Sequence, residues 1–289
     1  MLVAGTLSVA CGPALPADAL RSTETIVGRA AWNGQIVLLT DARALLVIDP
    51  VAALVSRREV VARDGTQLKP WGLAAADGAL FTVSGFFDLM RIDAAGNATR
   101  AARFERPIAN LLNLDDRMAA QYAAGDAGSP LAVQVGPSGR FTPLRSPPRV
   151  SFGLSSVEDE VLHLLSCSAP PRVVCWLPHR AALFEMAGTA LVAGADLEGF
   201  AEADVTQVMS GRTHRLIDDV LADETGNYLV LHRAYDGAGQ QALTWFDRLG
   251  RRRRTRRLEE PLRLLLAGGG RSALALSRRG VLTTVKLTW

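Results

Sequence analysis

Short apolar runs of four to eight residues, separated by Gly, Pro, Asp and Asn, recur along almost the whole 289-residue chain. Examples are QIVLLT at 35–40, ALLVID at 44–49, ALFTVS at 79–84, DLMRID at 88–93, EVLHLLS at 160–166, NYLVLH at 227–232 and ALTWFD at 242–247. Runs of this length bounded by turn formers are strands, because a strand crosses a sheet in a few residues. Apolar spacing at a helical period over ten or more residues is confined to 181–195. The chain reads as all-β.

Spacing separates a two-sheet sandwich from a repeat protein. The strand taken as third in each unit ends at Asp49, Asp93, Gly136, Pro178, Asp247 and about Thr288, in steps of 44, 43, 42, 69 and 41 residues. A period near 42 with one longer step predicts a six-bladed β-propeller of four-stranded antiparallel blades. Residues 22–289 then form one domain with an insertion at about 184–213, and residues 1–21 are a leader and tether. Because the chain ends on LTTVKLTW, a third strand, STETIVGR (22–29) is expected to supply the sixth blade's outer strand and close the ring.

At 48% hydrophobic and 21% charged residues, the composition excludes a disordered chain. Thirty of the 32 basic residues are arginine, a skew that GC-rich coding would produce. Six of them fill 251–257, RRRRTRR. DAAGNATRAARFERPIANLLNLDDRMAA (93–120) aligns without a gap on DRLGRRRRTRRLEEPLRLLLAGGGRSAL (247–274), matching Asp93 with Asp247, Gly96 with Gly250 and Pro107 with Pro261. The arginine run therefore falls on an outermost strand, where positive charge keeps a free edge from pairing with other chains. Contact with anionic lipid is the alternative. Nucleic acid is not expected as a partner, since no aromatic residue lies between Phe246 and Trp289 to stack on bases.

The opening MLVAGTLSVACGPALPADAL resembles the lipobox of bacterial lipoproteins, with Leu7, Ser8, Val9 and Ala10 before Cys11, although the basic opening of a signal peptide is missing. The resemblance implies acylation of Cys11, a membrane anchor and a location on the periplasmic side of the envelope, at the outer membrane. In that oxidising compartment Cys167 and Cys175, symmetric about Pro171, can form a disulfide across a hairpin; two free thiols are the alternative.

Lys69-Pro70-Trp71-Gly72-Leu73-Ala74 followed by Asp77-Gly78-Ala79-Leu80-Phe81 resembles the NHL and gluconolactonase-type six-bladed propellers, and Asp218 to Val230 repeats the second half of that pattern. The resemblance covers about residues 25–289 and implies, for gluconolactonase-type relatives, a divalent metal held in the central channel by carboxylates and an amide. Channel candidates here are Asn110, Asp218 and Arg263, with Asp219, Trp71 and Ser151 at comparable places. These are too few oxygens for a hard cation, so no metal or other cofactor is expected. The histidines, His163, His179, His214 and His232, fall at unrelated phases of the repeat, and no nucleophile, zinc or phosphate-binding motif occurs. No catalytic residue is assigned.

Binding is the better-supported class. Loops between second and third strands share one face of a propeller with the links between blades. That face gathers Trp71, Phe86, Phe87 and Tyr235, together with the acidic Glu198 and Glu202 of the insertion. Exposed aromatics on one surface mark an interface, unless Phe86 and Phe87 fold back between blades. The sequence reading is thus an envelope-associated scaffold that binds a protein partner. The alternative is a lactonase- or lyase-like enzyme acting on a small molecule in the channel.

Overall fold

The computed structural model describes residues 20–287 apart from 22, 52–54, 115–116, 124–131, 136–140, 145–163, 169–171, 178–179, 188–189, 201–215, 234–239 and 270–271. Six sheets arise in chain order, each an up-and-down meander, and together they form a six-bladed propeller. The first holds β1 (Ile26–Trp32), β2 (Gln35–Thr40), β3 (Ala44–Ile48) and β4 (Val55–Glu59). The second holds β6 (Pro70–Ala76), β7 (Ala79–Ser84), β8 (Asp88–Ile92) and β9 (Asn97–Arg103), with β5 (Val61–Ala62) added parallel to β9. The third runs β10 (Ile108–Leu114), β11 (Arg117–Tyr122), β12 (Ala132–Val135) and β13 (Phe141–Leu144). The fourth runs β14 (Ser166–Cys167), β15 (Cys175–Trp176), β16 (Ala182–Ala187) and β17 (Ala190–Asp196). The fifth runs β18 (Ile217–Ala222), β19 (Tyr228–Arg233), β20 (Gln241–Phe246) and β21 (Arg252–Arg257), and the sixth β22 (Leu262–Gly269), β23 (Ser272–Ser277) and β24 (Leu282–Lys286).

Strands form where they do because second and third strands are apolar on both faces, and the blades stack face to face. Gln35–Thr40 and Ala44–Ile48 are buried almost throughout. Hydrophobic clusters join neighbouring sheets, as where Leu221, Leu229 and Leu243 of the fifth meet Leu265, Ala275 and Val285 of the sixth. The turns repeat one device. Asp93, Asp223 and Asp247 each accept backbone N–H bonds from residues two and four ahead, and the glycine three ahead donates back to their carbonyls. Ser277 and Gly280 build a version with a hydroxyl.

Outer strands run head to tail around the rim. Val61 N donates to Gly96 O, and at the matching place Glu198 N donates to Gly250 O. Both glycines have positive φ, and a methyl on either would collide with the carbonyl oxygen of Glu59 or Asp196 at the end of the preceding blade. The alignment of 93–120 on 247–274 thus reflects two equivalent blade corners.

Three expectations need correction. Residues 26–32 form the innermost strand of the first sheet, so the N-terminal segment does not complete the sixth, which has three strands among the described residues. The reason is steric: Gly28 lets β1 pack closely against Gly72 and Leu73 of β6, the inner strand of the next sheet. Third strands end at Ile48, Ile92, Val135, Ala187, Phe246 and Lys286, in steps of 44, 43, 52, 59 and 40. Cys175–Trp176 is therefore a second strand, and 184–196 of the expected insertion is mostly blade; 201–213 lies outside the described residues. The helical spacing at 181–195 belongs to the hairpin of β16 and β17, where Met186 packs inward and Ala193 is exposed. No helix among the described residues is long and apolar enough to cross a membrane.

Candidate functional site

Five inner strands carry a break in register near their first residues, after Ile26, Trp71, Ile108, Ile217 and Leu262. A bulge leaves backbone groups outside the ladder, and here side chains in the channel take them up. Asp219, 1% exposed, accepts from Val220 N at 2.9 Å and Leu265 N at 2.7 Å. Asn110 accepts from Leu111 N and donates to Leu165 O. Asn113 donates to Arg29 O and Leu73 O and accepts from Ala75 N.

Arg29 crosses the channel from β1. It binds Asp219 in a fork at 2.6 and 2.9 Å and donates further to Leu265 O and Cys167 O. One side chain so ties the first, fourth, fifth and sixth blades. Cys167 stands directly opposite Cys175, and their sulfurs are bonded. This cross-link holds the two-residue strands β14 and β15, the shortest inner pair of the ring.

A cavity of 370 Å³ opens where the inner strands begin, with Trp71, Asn110, Cys167 and Asp218 among its lining residues. Asp218 accepts from Gln241 Nε2 at 2.6 Å, and Gln241 accepts from Leu262 N, linking the fifth and sixth blades. Arg263 does not line the cavity; burial lowers its guanidinium pKa, an effect the Asp41 charge opposes. Among the described residues no three His, Cys, Asp or Glu side chains converge. The described channel residues do not fit the divalent metal that the resemblance implies, because the oxygens of Asp219 and Asn110 are committed to backbone N–H groups and to a guanidinium.

The face around the cavity mouth carries the aromatic residues. Trp71 is 42% exposed and Phe86 51% exposed, their rings 6.1 Å apart. Neither folds back between blades. Trp71 Nε1 donates to Ala109 O on the next blade at 2.7 Å. Phe86 sits at φ 67° in a turn fixed on both sides, Gly85 N bonding Lys69 O and Ile108 N bonding Phe86 O. Phe87 is half-buried with the Arg103 guanidinium 5.9 Å above its ring. Glu198 stands apart, between the fourth and fifth blades, its carboxylate accepting from Arg252 N. Tyr235, Glu202, Ser151, Cys11, His163, His179 and His214 lie outside the described residues.

The arginine run is β21, the outer strand of its sheet, exposed along most of its length. Arg253 pairs with Asp247 at 2.6 Å and Arg256 reaches Lys286 O. Sequence reasoning missed Arg29 and Asn113. Arg29 sits in a seven-residue strand, IVGRAAW, whose lone charge is the available signal.

No protein-family model matches the chain, and no curated protein matches it. Among solved structures, a gluconolactonase from Xanthomonas campestris superposes with a TM-score of 0.55 at 12% identity, covering 96% of this chain and 98% of that one. A structural-genomics protein provisionally named a gluconolactonase gives a TM-score of 0.52 at 12% identity, covering 98% of each chain. The likeness is one of fold. At this identity it carries the six-bladed architecture and nothing about substrate.

Proposed function

We propose that this protein is a binding scaffold of the cell envelope, tethered through acylated Cys11 and recruiting a protein partner through Trp71 and Phe86. The observation that carries the reading is the pair itself: two large aromatic rings, side by side and exposed, on backbone held at every side. Rigid aromatics with satisfied polar atoms make interface anchors, because covering them releases water and strands no donor. The Trp71 N–H is already bonded within the protein. The Cys167–Cys175 bond supports an oxidising compartment. A lactonase- or lyase-like reaction would need free acid and base groups in the channel, whereas Arg29, Asp219, Asn110 and Asn113 are engaged in tying blades together.

The test places a photo-crosslinking amino acid at Phe86 and, in a second variant, at Leu249, which is 60% exposed on a rim turn. A discrete protein adduct from position 86 and none from 249 is expected in intact cells. Adducts from both, or from neither, would reject the scaffold reading. Anchoring is checked separately: globomycin should cause an unprocessed precursor to accumulate.

A further inference from the structure

We propose that the segment docking on Trp71 and Phe86 is a short acidic peptide bearing one large apolar anchor. This rests on the docking role given above to that pair. The anchor follows from the surface: two rings 6.1 Å apart present a small apolar patch on backbone held by hydrogen bonds to Lys69 O and from Ile108 N. An apolar side chain laid over both rings removes the patch from water, while the cavity mouth lined by Trp71 leaves room beside it.

The acidic character follows from what surrounds the rings. Lys69 is exposed, its carbonyl bonded to Gly85 in the turn that presents Phe86, and it has no ion-pair partner among the described residues. Arg103 lies over Phe87, and Arg106 lies 5.0 Å from the Tyr122 ring centroid. Arg106 also stands two residues before Ile108, whose N–H holds the Phe86 carbonyl. Among the described residues Lys69, Arg100, Arg103 and Arg106 stand against three acids, Asp64, Asp88 and Glu105; Asp88 is already shared between Arg100 and Arg103, and Asp64, which also acts on Arg100, accepts from Thr66. Positive charge in excess around an apolar centre steers and orients an acidic segment. A bare polyanion would gain nothing from the rings, and a flat anionic membrane would bring phosphates onto Asp88 and Glu105 as well as onto the cations.

The experiment pans a displayed library of random short peptides on the purified protein and on its Phe86→Ser variant. Sequences enriched on the first and lost on the second should carry an aromatic or leucine residue flanked by Asp or Glu. A selected peptide should weaken roughly tenfold or more on Phe86→Ser and lose affinity in high salt. On the double variant Lys69→Glu, Arg106→Glu a charge-reversed, basic-flanked peptide should replace it. Enrichment without charge preference, no enrichment over the Phe86 variant, or displacement of the peptide by phosphatidylglycerol vesicles would each overturn the proposal. A crosslink from position 86 in cells together with any of those results would leave the docking role standing and reject the acidic-peptide chemistry alone.

Discussion

Arg29 and Asp219 are 190 residues apart in sequence and grip each other by two hydrogen bonds in the middle of the ring. Side-chain exposures of 10% and 2% make this a buried ion pair, whose desolvation cost is offset by further bonds to Leu265 and Cys167 carbonyls and from Val220 and Leu265 N–H groups. Removing one member leaves the other charged and unpaired. Arg29→Leu or Asp219→Ala is expected to lower stability by about 3–5 kcal/mol, read as a shift in urea midpoint at constant slope. A loss no larger than that of a surface control would contradict the central role given to the pair.

The disulfide does for the fourth blade what ladder bonds do elsewhere. With its ends eight positions apart in sequence, opening it should cost about 2–3 kcal/mol through the freedom regained by the unfolded chain. Cys175→Ala should therefore melt lower than the parent, and added reductant should move the parent's melting point toward the variant's without moving the variant's own.

His232 is 8% exposed, with Nε2 bonded to Thr244 and Nδ1 without a partner. Burial holds its pKa below the ordinary 6.5, and Arg252 adds to that while the nearby Arg233 backbone and Asp218 oppose it. In the window below 6.5 the unfolded chain binds a proton that the folded chain refuses, so stability is full above that pH and falls as pH drops through it. Denaturation midpoints between pH 7.5 and pH 5.5 should decline, and His232→Gln should flatten that part of the profile.

The corner glycines differ from ordinary turn glycines. Gly250→Ala brings a methyl onto the Asp196 carbonyl at positive φ and should cost about 2 kcal/mol or more. At Gly78 nothing lies within 4 Å, and Ala there should cost about 1 kcal/mol from the left-handed conformation alone. Equal losses at the two sites would remove the distinction.

The arginines of β21 line the outer edge of their sheet, where they are expected to block pairing with other chains. Replacing Arg252, Arg254 and Arg256 by valine should leave the urea midpoint nearly unchanged while the soluble fraction falls and light scattering grows with concentration. A parent-like soluble fraction in that variant would show that the charges serve another purpose.

The repeat, its strands and its corners were legible in the sequence because each is local. An apolar run forms a strand wherever it occurs, and Asp93, Gly96, Asp247 and Gly250 build their turns from residues within four positions. The outer place of the arginine run followed from the same phase. The fourth blade was misread because its inner strands are two residues long and secured by a cross-link, so they carry little pattern. What only the tertiary structure decided is how the ring closes and what fills its centre. Closure depends on Ile36, Leu38, Leu46 and Ile48 of the first sheet packing against Leu266, Leu276 and Leu282 of the sixth, and the channel on Arg29 reaching Asp219, Leu265 and Cys167 on three other blades. Such contacts join residues far apart along the chain, and their energy comes from burial and mutual satisfaction of polar groups, which exist only once the six sheets have assembled.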